Sequence, residues 1–419
     1  MKNQNNKRHT YKHLLGKIQA FNKTIEINSS FVGTIILSLI SMASLLASAF
    51  EKKNIIVSLV VAIASLISTV FCLIYQVYQY HIKNTCFYLA DNKEYKKEIL
   101  DSAKADSMKQ KQKTVYVELG GSALLRFPDV DTMLSDPTRN IIIKKGKKYR
   151  LPLDVRPFVP AAIKKRLDGG SVVFNEKKVR LSTSLLQSTT EVKLSKTDYY
   201  SSLATNEVCL DRIRTTNSVS TKFDGGILLS DDNHSVFSLE QSPCSNHIGV
   251  STLAFSNDGY CILSVQGKKN LSQPNSLIAS GSGSINYRDL KHCHCLNELL
   301  RKSMERELRE ELNLPHNSCL KTIVVGYCRI LNRGGKPEFF GITNVDMSKK
   351  EIEDSHKTNK EIDEELMNRP IFFQFKDLET LFSSFSNIQN EKPVAQLLIY
   401  REIAQSEQSQ QIISAFLKR

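Results

Sequence analysis

Three glutamates in the last third of the chain are spaced for metal chemistry. In a helix, Glu307, Glu310 and Glu311 stand at i, i+3 and i+4, so their carboxylates share one face within one turn. Like charges at this spacing repel by about a few tenths of a kcal/mol per pair, and a hard divalent cation would remove that repulsion. The pattern predicts a metal site, and the alternative is a solvated helix face with interleaved arginines.

A stripe of apolar residues predicts how this helix is held. Leu300, Met304, Leu308 and Leu312 recur at every fourth position of the segment 298–314. Such a stripe packs against a core. We therefore expect one face of the helix to pack and the opposite face to bind.

The wider motif resembles a known signature. Glu298, seven residues and then Arg306-Glu-Leu-x-Glu-Glu-x-x-Leu resemble the second part of the Nudix box, which marks hydrolases that cleave a nucleoside diphosphate linked to another group. The resemblance covers roughly residues 240–405 and includes a candidate hairpin of Ile248–Phe255 and Tyr260–Val265. It implies an α/β/α sandwich with a mixed sheet and the box helix on one face.

The resemblance also implies roles for the residues of the box. Glu307, Glu310 and Glu311 would bind Mg²⁺ or Mn²⁺, which bridges the pyrophosphate and activates water. Arg306 would take part in catalysis by orienting these glutamates through charge-assisted pairs. Glu298 falls on the upstream glutamate of the box and is a further candidate metal ligand.

Two positions depart from the family pattern. We interpret Gly283-Ser-Ile-Asn286 as the Gly-x-Ile-Glu turn, which puts Asn286 at the turn glutamate and makes Tyr287–Cys295 an insertion of nine residues. The loss of that glutamate would weaken one metal contact. Asn313 replaces the glycine that ends the helix, and asparagine tolerates the left-handed conformation that this cap needs.

Further residues are candidates for contact with the substrate. Lys268 and Lys269 lie between the hairpin and Gly283, where all three would reach the phosphates; a solvated loop is the alternative for the two lysines. In the Nudix family a remote acid often serves as the base. The sequence does not choose among the candidates, which are Glu338, Glu361, Glu364 and Glu365.

Two uncharged runs near the N-terminus predict a transmembrane helical hairpin. Phe31–Phe50 and Asn54–Tyr80 are each long enough to cross about 30 Å of hydrocarbon. Basic residues on both flanks favour a cytoplasmic position for both termini. We therefore expect a multi-pass protein of the bacterial inner membrane that contacts lipid and forms a homo-oligomer through small residues in its spans.

Charge and composition indicate the kind of partner and the organisation of the chain. The 419 residues carry a formal net charge of +14, which predicts an anionic partner, either nucleotide phosphates or a membrane surface. We do not expect DNA as a partner. Nine scattered cysteines argue against a disulfide framework. The predicted organisation is a basic cytoplasmic tail (1–29), the transmembrane hairpin (30–80), a helical connector (81–113), a β-rich intermediate segment (114–239), the Nudix domain (240–405) and a C-terminal tail (406–419).

The order of these parts resembles the two-span Nudix effectors of bacterial CBASS anti-phage systems. That resemblance implies a cytoplasmic domain that binds a cyclic oligonucleotide and spans that assemble, disrupt the inner membrane and kill the infected cell. One alternative is a membrane-tethered, Mg²⁺-dependent pyrophosphohydrolase of nucleoside diphosphate derivatives. The other is an inactive Nudix scaffold, and the sequence leaves all three open.

Overall fold

The computed structural model describes most of the chain after residue 85 and short pieces before it. The described residues are 14–23, 43, 60, 63–64, 66–72, 74–75, 77–78, 86–108, 114–168, 174–216, 218–266, 276–357, 369–385 and 392–418. Within them the chain forms one large sheet, two sheets of three strands and a set of helices that cover them.

Short strands and helices alternate in the first half of the described chain. Its elements are β1 (Phe87–Ala90), α1 (Lys93–Ser107), β2 (Val115–Leu119), β3 (Ser122–Arg126), α2 (Pro128–Ser135), β4 (Ile142–Lys145), α3 (Val159–Asp168), β5 (Lys177–Leu181), β6 (Glu191–Asp198), α4 (Tyr199–Leu203), β7 (Arg212–Thr215) and β8 (Ser218–Asp224). Local chemistry sets several of these boundaries. Helix α1, for example, begins where the Asn92 side chain accepts a hydrogen bond from the Tyr95 N–H.

Longer strands and the longest helix follow in the second half. Its elements are β9 (Gly249–Ser256), β10 (Tyr260–Val265), β11 (Ser276–Ala279), β12 (Gly281–Ser284), α5 (Leu296–Leu312), β13 (Leu320–Ile330), β14 (Lys336–Val345), α6 (Lys349–Lys357), β15 (Arg369–Gln374), α7 (Leu378–Ser384), β16 (Lys392–Pro393), α8 (Ala395–Ile403) and α9 (Glu407–Leu417). Helix α5 carries the glutamate cluster, and its apolar stripe is buried as predicted. The helix ends at Asn313 in the left-handed conformation, which confirms the predicted cap.

The large sheet is mixed and has ten strands. Its order is β16-β11-β10-β9-β14-β13-β3-β2, with β12 paired to β9 and β15 paired to β10. Strands β9 and β14 run parallel. Strands β9 and β10 form the predicted antiparallel hairpin, which turns at Gly259 with a φ of 85° that suits glycine. The described chain is therefore a mixed α/β protein.

The intermediate segment 114–239 packs directly against the residues that follow it. Strand β3 pairs with β13, so the β2–β3 hairpin extends the large sheet. Strands β4, β6 and β5 form a separate sheet, which isolated bridges join to Asn286 and His247 through Lys178 and Arg180. One apolar cluster includes buried residues from both sides of residue 240. Residues far apart in sequence therefore share one core.

The predicted transmembrane hairpin is wrong for the described residues. The run 31–50 lies outside them except for Ala43, and the run 54–80 is described only in helical pieces such as 66–72. In the described part of the chain, no helix is long and apolar enough to span a membrane.

This finding contradicts the hairpin in the predicted fold and the predicted inner-membrane location. Both expectations came from the length and the lack of charge of two runs of sequence. The expected lipid contact and homo-oligomer rested on the same hairpin. Neither is tested by the described residues.

A buried carboxylate joins the intermediate segment to the large sheet. Asp131 on α2 accepts hydrogen bonds from the Tyr327 N–H at 2.7 Å and from Arg126 at 2.9 Å. Arg126 also donates to the Glu402 carbonyl at 2.8 Å. Burial raises the pKa of Asp131 to about 6 against the opposing effect of Arg126, so the group is mainly ionised at neutral pH.

Asp131→Ala is expected to lower the free energy of unfolding by about 3–5 kcal/mol, because the Arg126 guanidinium stays buried without this carboxylate. Urea denaturation followed by circular dichroism measures the loss. Asp129→Ala, in the first turn of the same helix, is the control and should cost about 0.3–1 kcal/mol through the helix dipole. Equal losses in the two variants would contradict a structural role for the buried pair.

Candidate metal and phosphate site

Two of the three glutamates lie directly against strand β12. The Glu311 carboxylate accepts a hydrogen bond from the Ser282 N–H at 3.2 Å. The Glu307 carboxylate fills the space that a Cβ at Gly283 would need. Strand β12 therefore sets the position of both carboxylates, and Gly283 is required for the close approach of Glu307.

Arg306 connects the acidic side chains of the site. Its guanidinium bonds to Glu307 at 2.9 Å and to Glu310 at 3.1 Å. It also bonds to Asp289 at 3.0 Å. These contacts match the orienting role that the Nudix resemblance implies for Arg306, and a part in catalysis stays a prediction.

Asp289 is a site residue that sequence reasoning missed. It lies in the short 3-10 helix Asp289–His292 within the insertion, and its carboxylate also accepts a hydrogen bond from the Asn286 N–H at 3.0 Å. The insertion thus brings a carboxylate next to the position where the turn glutamate is lost. One signal was available, since Asp289 is the only acidic residue between Asn286 and Glu298.

The glutamates differ in their electrostatic environments. Burial raises the pKa of Glu307; Arg306 opposes this shift and the charge of Glu310 adds to it. Glu298 lies at the other end of α5, about 13 Å along the helix axis from Glu307. Hydrogen bonds from Lys302 and the His294 N–H lower the pKa of Glu298. The structure therefore places Glu307 and Glu310 on Arg306 and Glu311 on β12, and it does not bring Glu298 to them.

The three glutamates have the right ligand atoms for a hard divalent cation, but they do not converge on one position. Glu307, Glu310 and Glu311 offer only carboxylate oxygens, the ligands that Mg²⁺ and Mn²⁺ prefer. In the part of the chain that the structure describes, however, no three His, Cys, Asp or Glu side chains converge as a metal-binding group. Arg306 occupies the space between Glu307 and Glu310, so a bound cation would replace some of its contacts.

A cavity of about 440 Å³ lies along strand β12 and has a strongly charged wall. Its lining combines residues from before and after position 240. They include Arg166, Tyr199, Glu207, His247, Ser282, Gly283, Ser284, Arg333, Lys336 and Glu338. Apart from Gly283 and Glu338, the sequence pattern did not single these residues out.

Ion pairs order the charges of this cavity. Glu207 bonds to Arg166 at 2.9 Å and is also paired with Arg333. Burial alone would raise the pKa of Glu207, but the two arginines outweigh burial and hold that pKa below its usual value. Lys336 and Glu338 form a second ion pair at 2.5 Å, and both side chains are almost fully buried. Two carboxylates and three cationic groups thus share one wall.

Some predicted residues cannot be placed. Lys268 and Lys269 lie outside the described residues, as do Glu361, Glu364 and Glu365. Of the four candidate bases, Glu338 is described, and it lies in the wall of the cavity.

Comparisons with known proteins do not establish a family. A scan against protein-family models found no match, and a search of curated proteins found none either. Among solved structures, the chain is similar to the crystal structure of DR0079 from Deinococcus radiodurans, at 15% identity over 42% of this chain and 96% of that chain. The TM-score is 0.26, which carries no argument about fold. The Nudix resemblance therefore stays a prediction.

Gly283→Ala is expected to displace the Glu307 carboxylate and to cost about 1–3 kcal/mol of stability through overpacking. In a Glu307→Ala background the same substitution should cost much less, because the clashing carboxylate is gone. Chemical denaturation of the four proteins gives the coupling energy. Ser284→Ala is the neighbouring control, and no coupling between positions 283 and 307 would refute the contact.

Proposed function

We propose that this chain is a Mg²⁺-dependent hydrolase of a nucleoside diphosphate linked to another group, with its site where β12 meets α5. One observation carries the proposal: acidic and cationic groups border the same short strand. Glu307 and Glu311 contact β12 from the side of α5, and the cavity that β12 lines contains Arg333 and Lys336. Cleavage of a diphosphate needs metal-binding carboxylates next to cations that attract phosphate.

The protein residues have separate tasks in this proposal. Glu307, Glu310 and Glu311 would hold the cation, which supplies charge neutralisation and an activated water when bound. Arg306 orients Glu307 and Glu310 by direct ion pairs. The cations of the cavity wall attract and orient the phosphates.

Binding without turnover is the second candidate function. The contacts of Arg306 favour it, since this one guanidinium engages Asp289, Glu307 and Glu310 together. A site satisfied in this way can bind a nucleotide, either a nucleoside diphosphate derivative or a cyclic oligonucleotide, without completing a catalytic metal cage. A receptor of this kind needs only a difference in ligand affinity between two states of the protein.

Release of mononucleotide from a panel of dinucleotides by the full chain, with and without Mg²⁺, distinguishes the two functions. Glu311→Gln should reduce the Mg²⁺-dependent rate about 100-fold or more, because a ligand of the metal is lost. Glu379→Gln, an exposed change in the first turn of α7, should leave the rate unchanged. Nucleotide binding without product would favour the receptor, and equal rates in both variants would exclude hydrolysis at this site.

A further inference from the structure

We infer that the cavity beside β12 contains a phosphate-binding subsite built jointly by the intermediate segment and the residues after position 240, with Arg166 and Arg333 as its principal donors. The inference rests on the proposed function in one respect, because the phosphate belongs to the same diphosphate ligand. It does not require a metal ion or hydrolysis. It also gives the intermediate segment a role in ligand binding.

The first support is the arrangement of two arginines around one carboxylate. Arg166 comes from α3, Arg333 comes from the turn that follows β13, and Glu207 lies between them. Each guanidinium has five N–H donors, and Glu207 uses only some of the ten. About one third of each arginine side chain is exposed, at 33% and 31%, whereas Glu207 is 15% exposed. The arginines therefore keep donors available in a fixed orientation that suits a phosphate group.

The second support is the charge of the wall. Among its side chains, Arg166, Arg333 and Lys336 are cationic, and Glu207 and Glu338 are anionic. The wall therefore carries an excess of one positive charge next to partly buried groups. An anion that enters the cavity would compensate this excess, and low exposure reduces screening by salt.

The third support is a buried histidine in the wall. His247 is 2% exposed, and its Nδ1 makes no hydrogen bond within the described part of the chain. Burial, together with the nearby cations Lys336, Arg333 and Lys178, lowers its pKa well below the usual range, so the ring is neutral. A neutral imidazole has one donor and one acceptor nitrogen. The neutral ring adds no charge to the wall, so the positive excess of the wall comes from its arginines and Lys336 alone.

Two chain segments must come together to form this subsite. Arg333 is followed by Gly334 and Gly335, whose φ values of 60° and 69° make the tight turn into β14. His247 is bridged to Arg180 of β5. Arg166 and Glu207 belong to the intermediate segment, whereas Arg333 and His247 follow it. The subsite would therefore be incomplete without the intermediate segment.

Binding of inorganic pyrophosphate to the full chain in the presence of a metal chelator tests the inference. Calorimetric titration should show that Arg166→Gln weakens binding about tenfold or more. Lys164→Gln removes the same charge from the same helix, at a side chain that is 39% exposed, and should change affinity less than about twofold. Arg166→Lys keeps the charge but loses the planar fork, so its affinity should lie between those of Arg166→Gln and the unaltered chain.

The outcomes separate this inference from the proposed hydrolysis. Equal losses of pyrophosphate affinity in Arg166→Gln and Lys164→Gln would indicate non-specific electrostatic attraction and would overturn the subsite. Absence of pyrophosphate binding to the unaltered chain would also overturn it. Glu379→Gln, the exposed control on α7, should bind pyrophosphate as the unaltered chain does under chelating conditions. If the chain binds pyrophosphate but shows no Mg²⁺-dependent hydrolysis, the proposed hydrolase function is wrong and the phosphate-binding subsite is supported. Circular dichroism of each variant checks that it is folded.

Discussion

The close approach of α5 to glycines of the large sheet determines the rest of the site. A Cβ at Gly281 would lie 2.7 Å from the Leu308 Cα, and one at Gly283 would overlap the Glu307 carboxylate. Gly341 on β14 provides similar room for Met304. A side chain at any of these glycines would force α5 or its side chains to move. The glutamates therefore reach β12 because the strands beneath the helix lack side chains at these points.

This constraint gives Gly283 a different role from the one its sequence context predicted. The resemblance made it the first residue of a turn and a candidate contact of the substrate phosphates. In the structure it belongs to β12, which pairs with β9 in antiparallel register. Gly283 is therefore needed for space and not for a left-handed conformation. A need for space and a need for a left-handed conformation both select glycine, so only the packing around Gly283 distinguishes the two.

The sequence predicted what depends on nearby residues and missed what depends on distant ones. The buried stripe of α5 follows from helical spacing, and the Asn313 cap follows from the tolerance of asparagine for the left-handed conformation; both are present. The charged cavity could not be predicted from local spacing, because Glu207 and Arg333, which form an ion pair in its wall, are 126 residues apart in sequence. The membrane hairpin was predicted from two uncharged runs, and in the described part of the chain no helix is long and apolar enough to span a membrane.

The charges around Arg306 determine the electrostatics of this acidic site. Three carboxylates, those of Asp289, Glu307 and Glu310, surround one guanidinium. Arg288 adds a second cation near Glu310, but its side chain is 68% exposed and contributes little. The group thus keeps an excess of negative charge, which is why the charge of Glu310 adds to the rise in the pKa of Glu307. Arg306 lowers the repulsion among these carboxylates, and the remaining negative charge would attract a cation.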